Sequence, residues 1–449
     1  MSKPTAIDLY AGCGGLSLGL ERGGFNVLYA LDRDVHACTT HRANLPGASV
    51  ACCDVRDVTG KDIRSIVGQP IDLVAGGPNC QGVSERGRRD VDDPRNFMFS
   101  EFHRIIEELQ PGAFLMENVP GLAHKHNWGL LETVFRAFED IGYRCGADVL
   151  LAADYGVPQL RYRLFMIGVR DSSFLPTMPY PTHGSSRVNS GLVPHVTVHE
   201  AIGDLPAIKP DRQIDLPLPY SRKMPNDYQK AARGNQEMVT DHICSATSEI
   251  NLKRVAAIPV GGNWKDLPSE LLPERFFACR MTDHSTTYAR LKPDEPAFTV
   301  TTQFGNVTSG AFTHPTQHRA LSIREGARLQ SFPDNFRMKG PRNSQYRQIG
   351  NAVPVLLAEA VSCHLRLMMS APDRIGLPPR ITSAAFGPAG HGRLPVLTPR
   401  TPALYGQGTR WPIGWGTEPR LRSDKLDENY MLRPEFWPAH VKQSLRRVR

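Results

Sequence analysis

The sequence predicts an α/β fold of the doubly wound type, built around a mostly parallel sheet. Short apolar segments of strand length alternate along residues 1–176 with segments whose apolar residues recur at helical spacing. The candidate strands are Ile7–Tyr10, Phe25–Leu31, Ile71–Ala75 and Ala113–Met116. Strands and helices in alternation require crossover connections, which give a parallel sheet covered by helices on both faces.

Three segments predict the helices that cover this sheet. Leu16–Arg22 follows the first strand and stops at two glycines. Apolar residues recur every three or four positions in 98–109 and again in 130–141. Each segment lies between two candidate strands or directly after one, as a crossover helix should.

The regular pattern fades after Pro176 and returns near residue 322. Residues 177–300 are rich in proline, asparagine, threonine and charge, with weak periodicity. Ser322-Ile-Arg-Glu325 is a capping box and predicts the start of a helix. A last helix is predicted over Val355–Met369, with Pro354 at its first turn.

The bulk composition is that of an ordinary globular protein. The chain has 449 residues, of which 40% are hydrophobic and 22% charged. The first residues show no basic-then-apolar leader and no apolar run approaches a membrane span, so we expect a cytoplasmic protein without a membrane partner. Nine cysteines occur without CxxC pairs, so we expect neither a disulfide framework nor a bound metal.

The positive charge is concentrated at the C-terminal end. The formal net charge is +8, and residues 372–449 contain 13 lysines and arginines against six acids. We expect 372–449 to be a basic tail rich in proline and glycine, extended and partly disordered. Its arginines could attract phosphates without sequence preference. A solvated appendage and a segment that docks on a partner are the open alternatives.

A glycine loop follows the first strand. Gly12, Gly14 and Gly15 let the backbone approach a ligand closely, and a helix N-terminus comes next. Asp32 lies 20 positions after Gly12, at the end of the second strand, where an acid can bind the hydroxyls of an adenosine ribose. The spacing G-x-G-G suits a cofactor without phosphates at least as well as a dinucleotide. A tight turn without ligand is the alternative.

Two further groups follow later strands and could share the same crevice. Cys80 lies between glycines after the third candidate strand, where α/β active sites form. Glu117 ends the fourth candidate strand. The alternatives are a small buried cysteine in a turn and a solvent-facing acid.

Arg161 and Arg163 alternate with Leu160, Tyr162 and Leu164. In a strand, both guanidinium groups would therefore share one face. Two cations on one face suit an anion or a carboxylate, whereas an exposed edge strand is the alternative.

Taken together, these motifs resemble the cytosine-5 DNA methyltransferase family from about Ala6 to Val361. The resemblance rests on eight blocks in the family's order: AIDLYAGCGGLSLGLERGGF (6–25), ALDRD (30–34), CCDVRDV (52–58), GGPNCQGVS (76–84), MENV (116–119), DYGVPQLRYRLFMIGVR (154–170), REGARLQSFPDNF (324–336) and YRQIGNAVPV (346–355). Such a series makes a chance match negligible.

The resemblance implies a role for each candidate residue. Cys80 would be the nucleophile that adds to carbon 6 of cytosine, and Glu117 the acid that hydrogen-bonds ring nitrogen 3 and the exocyclic amine. Arg161 and Arg163 would support the activated base and the catalytic loop. The positions that match S-adenosylmethionine contacts are Tyr10, Gly12, Gly14, Leu16, Asp32, Asp54, Asn351 and Val353. The reaction needs no metal.

The resemblance also implies a domain plan and a substrate. Residues 1–185, completed by 337–371, would bind S-adenosylmethionine and catalyse the reaction, and 186–336 would recognise the target sequence. The substrate would be a cytosine flipped out of double-stranded DNA. Two loops, 261–264 and 301–306, could face DNA or be ordinary surface loops. A monomer is expected, and a cognate restriction endonuclease is a possible partner in a bacterial restriction–modification pair.

Two positions depart from the family pattern. Asn79 stands where the family almost always has proline before the nucleophile. Asparagine loosens that turn, so we expect reduced activity rather than none. Arg33 stands where many members have an apolar residue against adenine, and a guanidinium can stack there.

Three other functions compete with this hypothesis. A transfer-RNA methyltransferase has the same blocks, but the full-sized 186–336 region argues against it. A DNA-binding regulator without catalysis would fit Asn79 but not the intact Cys80 and Glu117. A dinucleotide oxidoreductase would explain only the glycine loop.

Overall fold

The computed structural model describes most of the chain. The residues it describes are 2–78, 98–124, 127–185, 191–210, 214–221, 224–277, 279, 286–370 and 376–383. Asn79, Cys80 and all of 384–449 lie outside the described residues.

Short strands and helices alternate through the first 170 residues. The strands are β1 (Thr5–Leu9), β2 (Asn26–Asp32), β3 (Ser49–Cys52), β4 (Leu73–Gly76), β5 (Ala113–Asn118), β6 (Tyr143–Leu151), β7 (Gln159–Leu160), β8 (Tyr162–Arg170), β9 (His183–Gly184), β10 (Val193–Pro194), β11 (Leu218–Pro219), β12 (Met238–Val239) and β13 (Ala297–Phe298). The helices are α1 (Gly15–Arg22), α2 (Val35–Asn44), α3 (Gly60–Val67), α4 (Met98–Leu109), α5 (Trp128–Asp140), α6 (Val198–Ile202), α7 (Asp227–Arg233), α8 (Glu249–Ala257), α9 (Ile323–Leu329), α10 (Arg342–Asn351) and α11 (Val355–Ser370).

Seven of these strands form one sheet with the order β3-β2-β1-β4-β5-β8-β6. The first five in this order are parallel, and β8 runs antiparallel to both β5 and β6. The predicted doubly wound, mostly parallel fold is therefore confirmed. The strand order reverses between β1 and β4, and ligands of such sheets bind at the carboxyl ends of the strands beside that switch point.

The predicted elements are present, with shifts of one or two residues at their ends. The first strand stops at Leu9, because Tyr10 adopts a left-handed backbone conformation with φ of 59°. Ser322 caps α9 and Glu325 completes the predicted capping box. The last helix begins at Val355, so Pro354 directly precedes it.

The N-terminal and C-terminal helices of the α/β domain pack closely together. A Cβ on Gly19 of α1 would lie 2.2 Å from Ala358 Cβ, and one on Gly23 would lie 2.4 Å from Ser362 Cβ. The glycines therefore let α1 and α11 touch. The helical stretch Arg342–Ser370 is long and apolar enough to cross a membrane, but 78% of its apolar window is buried in the protein, as in a core helix.

A smaller core lies within 255–320. Its buried members are Val255, Ile258, Trp264, Leu267, Phe276, Tyr288, Val307 and Ala320. Trp264 stacks on Phe276 with ring centroids 4.5 Å apart. Trp264 therefore points into this core, so it is unavailable for the DNA contact considered for the 261–264 loop.

Part of the expected tail packs on the α/β domain. Ile381 is fully buried and its backbone pairs with Ala147 of β6, with N–O distances of 2.9 and 3.1 Å. Arg380 Nε lies 2.9 Å from the buried carboxylate of Asp148. Because β6 is the last strand of the sheet, residues 376–383 cover an exposed edge. An extended tail was expected over 372–449, but residues 376–383 pack on β6 instead.

Candidate active site

The glycine loop lies at the carboxyl end of β1, beside the switch point. Gly12 and Gly14 adopt left-handed backbone conformations, with φ of 56° and 99°. Such conformations favour glycine strongly, which explains both residues. Within the described residues, no atom lies within 4 Å of a Cβ placed on Gly12. The loop therefore borders open space into which a ligand can fit.

Asp32 braces this loop from the end of β2. Its Oδ2 accepts a hydrogen bond from Gly12 N at 2.9 Å, and its Oδ1 accepts one from Asp34 N at 2.8 Å. Burial raises the pKa of the Asp32 carboxyl, although these backbone hydrogen bonds oppose the rise. Each oxygen keeps a second lone pair, so Asp32 can still accept hydrogen bonds from a bound ribose.

The turn between α10 and α11 closes the other side of the loop. A Cβ on Gly15 would lie 2.5 Å from the carbonyl oxygen of Val353. Asn351 is the last residue of α10 and is exposed. The structure thus brings the 351–353 turn to the glycine loop, as the resemblance implies. Leu16, in contrast, packs its side chain into the core, which leaves only its backbone for a ligand.

Tyr10 begins the glycine loop, and Asp54 follows β3, the strand next to β2. The Tyr10 hydroxyl donates to the carbonyl oxygen of Met98 at 2.8 Å. Asp54 follows β3 and accepts from Arg56 Nε and Nη2, both at 2.9 Å. The hydrogen bond from Arg56 lowers the pKa of Asp54 to about 2, so Asp54 is ionised at neutral pH.

Glu117 and Arg163 form a buried ion pair at the carboxyl end of β5. Arg163 Nε lies 2.8 Å from Glu117 Oε1, and the two side chains are 14% and 12% exposed. Burial raises the pKa of Glu117, although Arg163 and then Arg161 lower it in part. Glu117 is therefore able to hold a proton more readily than an exposed glutamate, and the exposed alternatives for both residues are wrong.

The segment that leads to Cys80 lies directly against Glu117. A Cβ on Gly77 would lie 3.1 Å from Glu117 Oε2. Asn118 Nδ2 donates to the carbonyl oxygen of Pro78 at 3.0 Å. Cys80 itself is outside the described residues, but the chain two residues before it contacts the strand end that carries the predicted base-binding acid.

Arg161 lies just before β8 and is fully buried. Its Nη1 donates to Val300 O at 2.8 Å, and its Nη2 donates to Gly350 O at 2.9 Å and to Ala352 O at 3.2 Å. Arg161 therefore joins distant segments of backbone, whereas Arg163 serves Glu117. The prediction that the two guanidinium groups share one face of a strand does not distinguish their partners.

Two buried glutamines, Gln159 and Gln330, form further hydrogen bonds where Arg161 joins Val300 to the 350–352 backbone. The sequence did not indicate either glutamine. Gln159 accepts from Val300 N at 2.7 Å and donates to Gln330 Oε1 at 3.0 Å. Gln330 donates to Ile349 O at 2.7 Å. A polar residue between Val157-Pro158 and Leu160 is the only local signal for Gln159.

The amino-acid sequence matches a known protein family and is similar to type II methyltransferases. Residues 5–365 match the family described as C-5 cytosine-specific DNA methylase. The type II methyltransferase M.XorII of Xanthomonas oryzae pv. oryzae is 37% identical over 384 residues, which cover 80% of this chain and 84% of that protein. M1.HphI of Haemophilus parahaemolyticus, also a type II methyltransferase, is 36% identical, with 80% and 85% covered.

Solved structures show the same fold. A chain described as a DNA modification methyltransferase encoded within an E. coli prophage superposes with a TM-score of 0.64 at 28% identity, over 82% of this chain and 99% of that one. The methyltransferase EhMeth of Entamoeba histolytica shares the fold, with a TM-score of 0.53 at 16% identity, over 84% and 100%. From these matches, the chain belongs to the C-5 cytosine-specific DNA methylase family and is an S-adenosylmethionine-dependent DNA (cytosine-5) methyltransferase.

Proposed function

We propose that Cys80, Glu117 and Arg163 form the catalytic centre and that the glycine loop binds S-adenosylmethionine. The observation that carries this proposal is the contact of Glu117 and Asn118 with Gly77 and Pro78. It supports the proposal because Glu117 lies beside the residues that lead to Cys80, at the carboxyl ends of β4 and β5. The glycine loop lies at the same edge, because β1 is the direct neighbour of β4.

The reaction needs a nucleophile, because cytosine carbon 5 does not attack a methyl group unaided. The Cys80 thiolate adds to carbon 6 and breaks the aromaticity of the ring, which makes carbon 5 nucleophilic. S-adenosylmethionine supplies the electrophilic methyl group. Loss of the proton from carbon 5 and departure of the Cys80 sulfur from carbon 6 then restore the aromatic ring.

Glu117 stabilises the base while Cys80 adds. Electron density builds up on the ring during addition, and a proton or hydrogen bond at nitrogen 3 stabilises it. The raised pKa of the buried Glu117 carboxyl supports this role. Arg163 fixes the orientation of the carboxylate through Oε1, which leaves Oε2 for the base.

The cofactor site would be formed by three parts of the chain. The loop from Tyr10 to Leu16 supplies backbone groups at the N-terminus of α1, Asp32 accepts from the ribose, and the 351–353 turn completes the methionine side. Asp54 lies beyond Asp32 at the end of the neighbouring β3. The fit is supported by the open space at Gly12 and by the remaining lone pairs of Asp32. The role of each residue in binding is our proposal, as is a reaction without metal.

We propose that residues 186–336 recognise a specific double-stranded DNA sequence. In the 301–306 loop, Gln303 and Asn306 are exposed whereas Phe304 is buried. The exposed amides are suited to base edges in the major groove. We also propose that the enzyme acts as a monomer in the bacterial cytoplasm and protects the site of a cognate endonuclease, as the names of its type II relatives suggest.

The first experiment is mass spectrometry of nucleosides from DNA incubated with the protein and S-adenosylmethionine. We expect 5-methylcytosine with the wild-type chain and none with Cys80→Ala. Methylation that survives Cys80→Ala would overturn the assignment of the nucleophile. Cys145→Ala is the matched control, because Cys145 is a buried cysteine of β6, the strand at the end of the sheet. Bisulfite sequencing of the same DNA would give the recognition sequence.

A further inference from the structure

Two cysteines lie side by side where α2 packs on the end of the sheet. Cys38 is in α2 and fully buried, whereas Cys52 is the last residue of β3 and is exposed. Cys38 Sγ lies 3.2 Å from Asp32 O and 3.8 Å from Ala51 O. Ala51 directly precedes Cys52, and the Cys52 thiol lies within hydrogen-bonding distance of the Cys38 thiol. Sulfurs that already meet can form a disulfide with little movement of the backbone.

The pair contacts Asp32, the acid that is proposed to bind the ribose of the cofactor. Asp32 and Cys52 are register partners in the parallel strands β2 and β3. The carbonyl oxygen of Asp32 accepts from the Cys38 thiol and, at 3.1 Å, from Cys53 N. Asp34, the cap of α2, donates its backbone N–H to Asp32 Oδ1 at 2.8 Å. A bond between the two sulfurs would therefore remove one hydrogen bond to Asp32 and draw α2 towards β3.

The two cysteines differ in reactivity. Burial raises the pKa of the Cys38 thiol to about 12, and the neighbouring Cys52 adds to the rise. Such a thiol stays protonated and does not react with an oxidant by itself. Cys52 lies exposed on the strand at the end of the sheet, whereas Cys53 packs against the apolar core. Cys52 is therefore the member of the pair that an oxidant reaches first.

We propose that Cys38 and Cys52 form a reversible disulfide when a peroxide oxidises Cys52, and that this disulfide weakens binding of the cofactor. The effect on binding rests on the proposed cofactor site at the glycine loop. Disulfides of cytoplasmic proteins are usually transient and redox-sensing. An accessible cysteine beside a second cysteine that resolves its sulfenic acid is typical of such sensors.

The oxidation balances with hydrogen peroxide as the oxidant. The Cys52 thiolate attacks one oxygen, the O–O bond breaks, and the released hydroxide takes a proton to become water, which leaves a sulfenic acid. The Cys38 sulfur then attacks the sulfur of the sulfenic acid. The S–S bond forms, the S–O bond breaks, and the hydroxyl group leaves as water with the Cys38 proton. Contact between the sulfurs compensates for the small thiolate population of Cys38, because this second step is intramolecular.

The test is treatment of the reduced protein with hydrogen peroxide, followed by tryptic peptide mapping and calorimetric titration with S-adenosylhomocysteine. Arg42 lies between the two cysteines, so trypsin yields two peptides that the disulfide joins. We expect these joined peptides, and an affinity about three- to tenfold lower, as for the loss of one hydrogen bond. Dithiothreitol should restore the affinity. Binding is measured rather than methylation, because oxidation of Cys80 would also stop the reaction.

Variants assign the effect to the pair. Cys52→Ser should abolish both the joined peptides and the loss of affinity on peroxide treatment. Cys279→Ser is the matched control, because Cys279 is a partly exposed cysteine that packs against the core within 255–320, and it should keep both effects. A loss of affinity that persists in Cys52→Ser would assign the effect to another cysteine and overturn the proposal.

Two further results would contradict the proposal. Thiols of Cys38 and Cys52 that both remain open to alkylation after peroxide, or a bond between Cys52 and Cys53, would show that the pair does not form. A Cys38–Cys52 disulfide that leaves the affinity unchanged would overturn its effect on the cofactor. Failure of the fully reduced protein to bind S-adenosylhomocysteine would instead refute the proposed cofactor site, and the peptide map would still decide whether the disulfide forms.

Discussion

At the scale of single residues, the acid Glu117 is the most constrained group of the proposed catalytic centre. Its carboxylate pairs with Arg163 and lies against Gly77, in the backbone that leads to Cys80. The base would lie on its remaining side. Burial alone would destabilise an ionised carboxylate there. The Arg163 pair offsets part of that cost, so the rise in the pKa of Glu117 that burial causes is only partly cancelled.

We expect Glu117→Gln to lower kcat by about 10²–10³-fold, the range for removal of one proton-transfer or oxyanion-type interaction. Glutamine has the same shape but cannot exchange a proton with the ring, and it leaves Arg163 without a counter-charge. Steady-state methylation of cognate DNA measures the effect. Glu107→Gln, at an exposed position of α4, is the matched control and should behave as wild type. Equal kcat values in the two variants would argue against the role of Glu117.

A second residue-level prediction concerns Asn79, which lies outside the described residues. Asn79→Pro should speed single-turnover methylation, because proline restricts the turn before the nucleophile to fewer conformations. Rapid-quench measurement at saturating cofactor isolates this step. An unchanged or lower rate would show that asparagine does not impair the aim of Cys80.

At the scale of elements, the start of α1 is set by contact with the turn before α11. Gly15 approaches the carbonyl oxygen of Val353 so closely that a side chain cannot fit without displacement of backbone. This contact joins a residue near the N-terminus to one more than 330 positions later. The proposed cofactor site therefore depends on both ends of the α/β domain.

Gly15→Ala should weaken binding of S-adenosylhomocysteine and destabilise the fold by about 1–3 kcal/mol, the usual cost of overpacking. Gly129→Ala is the contrasting control, because among the described residues a Cβ there meets no atom within 4 Å and alanine is a better helix former than glycine. Urea unfolding and calorimetric titration measure both quantities. Equal stability changes in the two variants would contradict the packing assignment.

The helix α9 carries buried charges that join it to other segments of residues 186–336. Arg328 pairs with Asp334 at 2.6 Å and with Asp204 at 3.1 Å, and all three side chains are at most 1% exposed. Burial by itself would raise the pKa of Asp334, but Arg328 outweighs burial and lowers it. Asp204 lies just beyond α6, so its ion pair with Arg328 fixes α9 against the beginning of the 186–336 region.

We expect Arg328→Met to destabilise the protein by about 3–5 kcal/mol, because it breaks a buried ion-pair network. Among the described cations, Asp204 would keep only Arg233, at 2.7 Å, and Asp334 only Arg324, at 3.8 Å. Arg136→Met removes an exposed pair with Glu132 on α5 and should cost about 0.3–0.5 kcal/mol. Urea unfolding at neutral pH measures both. A loss below about 1 kcal/mol for Arg328→Met would show that the region relaxes around the vacated site.

At the scale of the whole molecule, the C-terminal residues divide into two parts. Residues 376–383 cover the sheet edge through Ile381 and Arg380, whereas most of the basic residues of the tail come after residue 383. A test of the tail must therefore leave 376–383 in place. Removal from 372 onward would also uncover β6.

Truncation after residue 383 should flatten the salt dependence of DNA binding. The slope of log K against log salt should fall by about 0.9 for each phosphate that the tail neutralises in the full-length protein. Fluorescence anisotropy of a labelled duplex between low and physiological salt measures this slope, and unchanged thermal unfolding serves as the folding control. An unchanged slope would show that the tail does not bind phosphates.

Much of the α/β domain and the position of its glycine loop could be predicted from local sequence. The run Ile7–Tyr10 and the helix after it follow from apolar periodicity, and the glycines mark left-handed backbone. The capping box at Ser322 was predictable for the same reason, since its partners lie three residues apart. The packing of Trp264 was not, because its partner Phe276 lies outside any local pattern.

By itself, the sequence determined the fold class, the family and the candidate site residues, because each depends on local spacing or on the order of short blocks. Tertiary structure alone decided which candidates meet. Arg161 and Val300 are 139 positions apart, and Ser17 and His41 lie on different helices. Side chains so far apart leave no periodic trace in a sequence, and their partners are chosen by how the layers pack. The different partners of Arg161 and Arg163, and the hydrogen bonds that join Asp8, Ser17 and His41 beneath the glycine loop, follow from that packing.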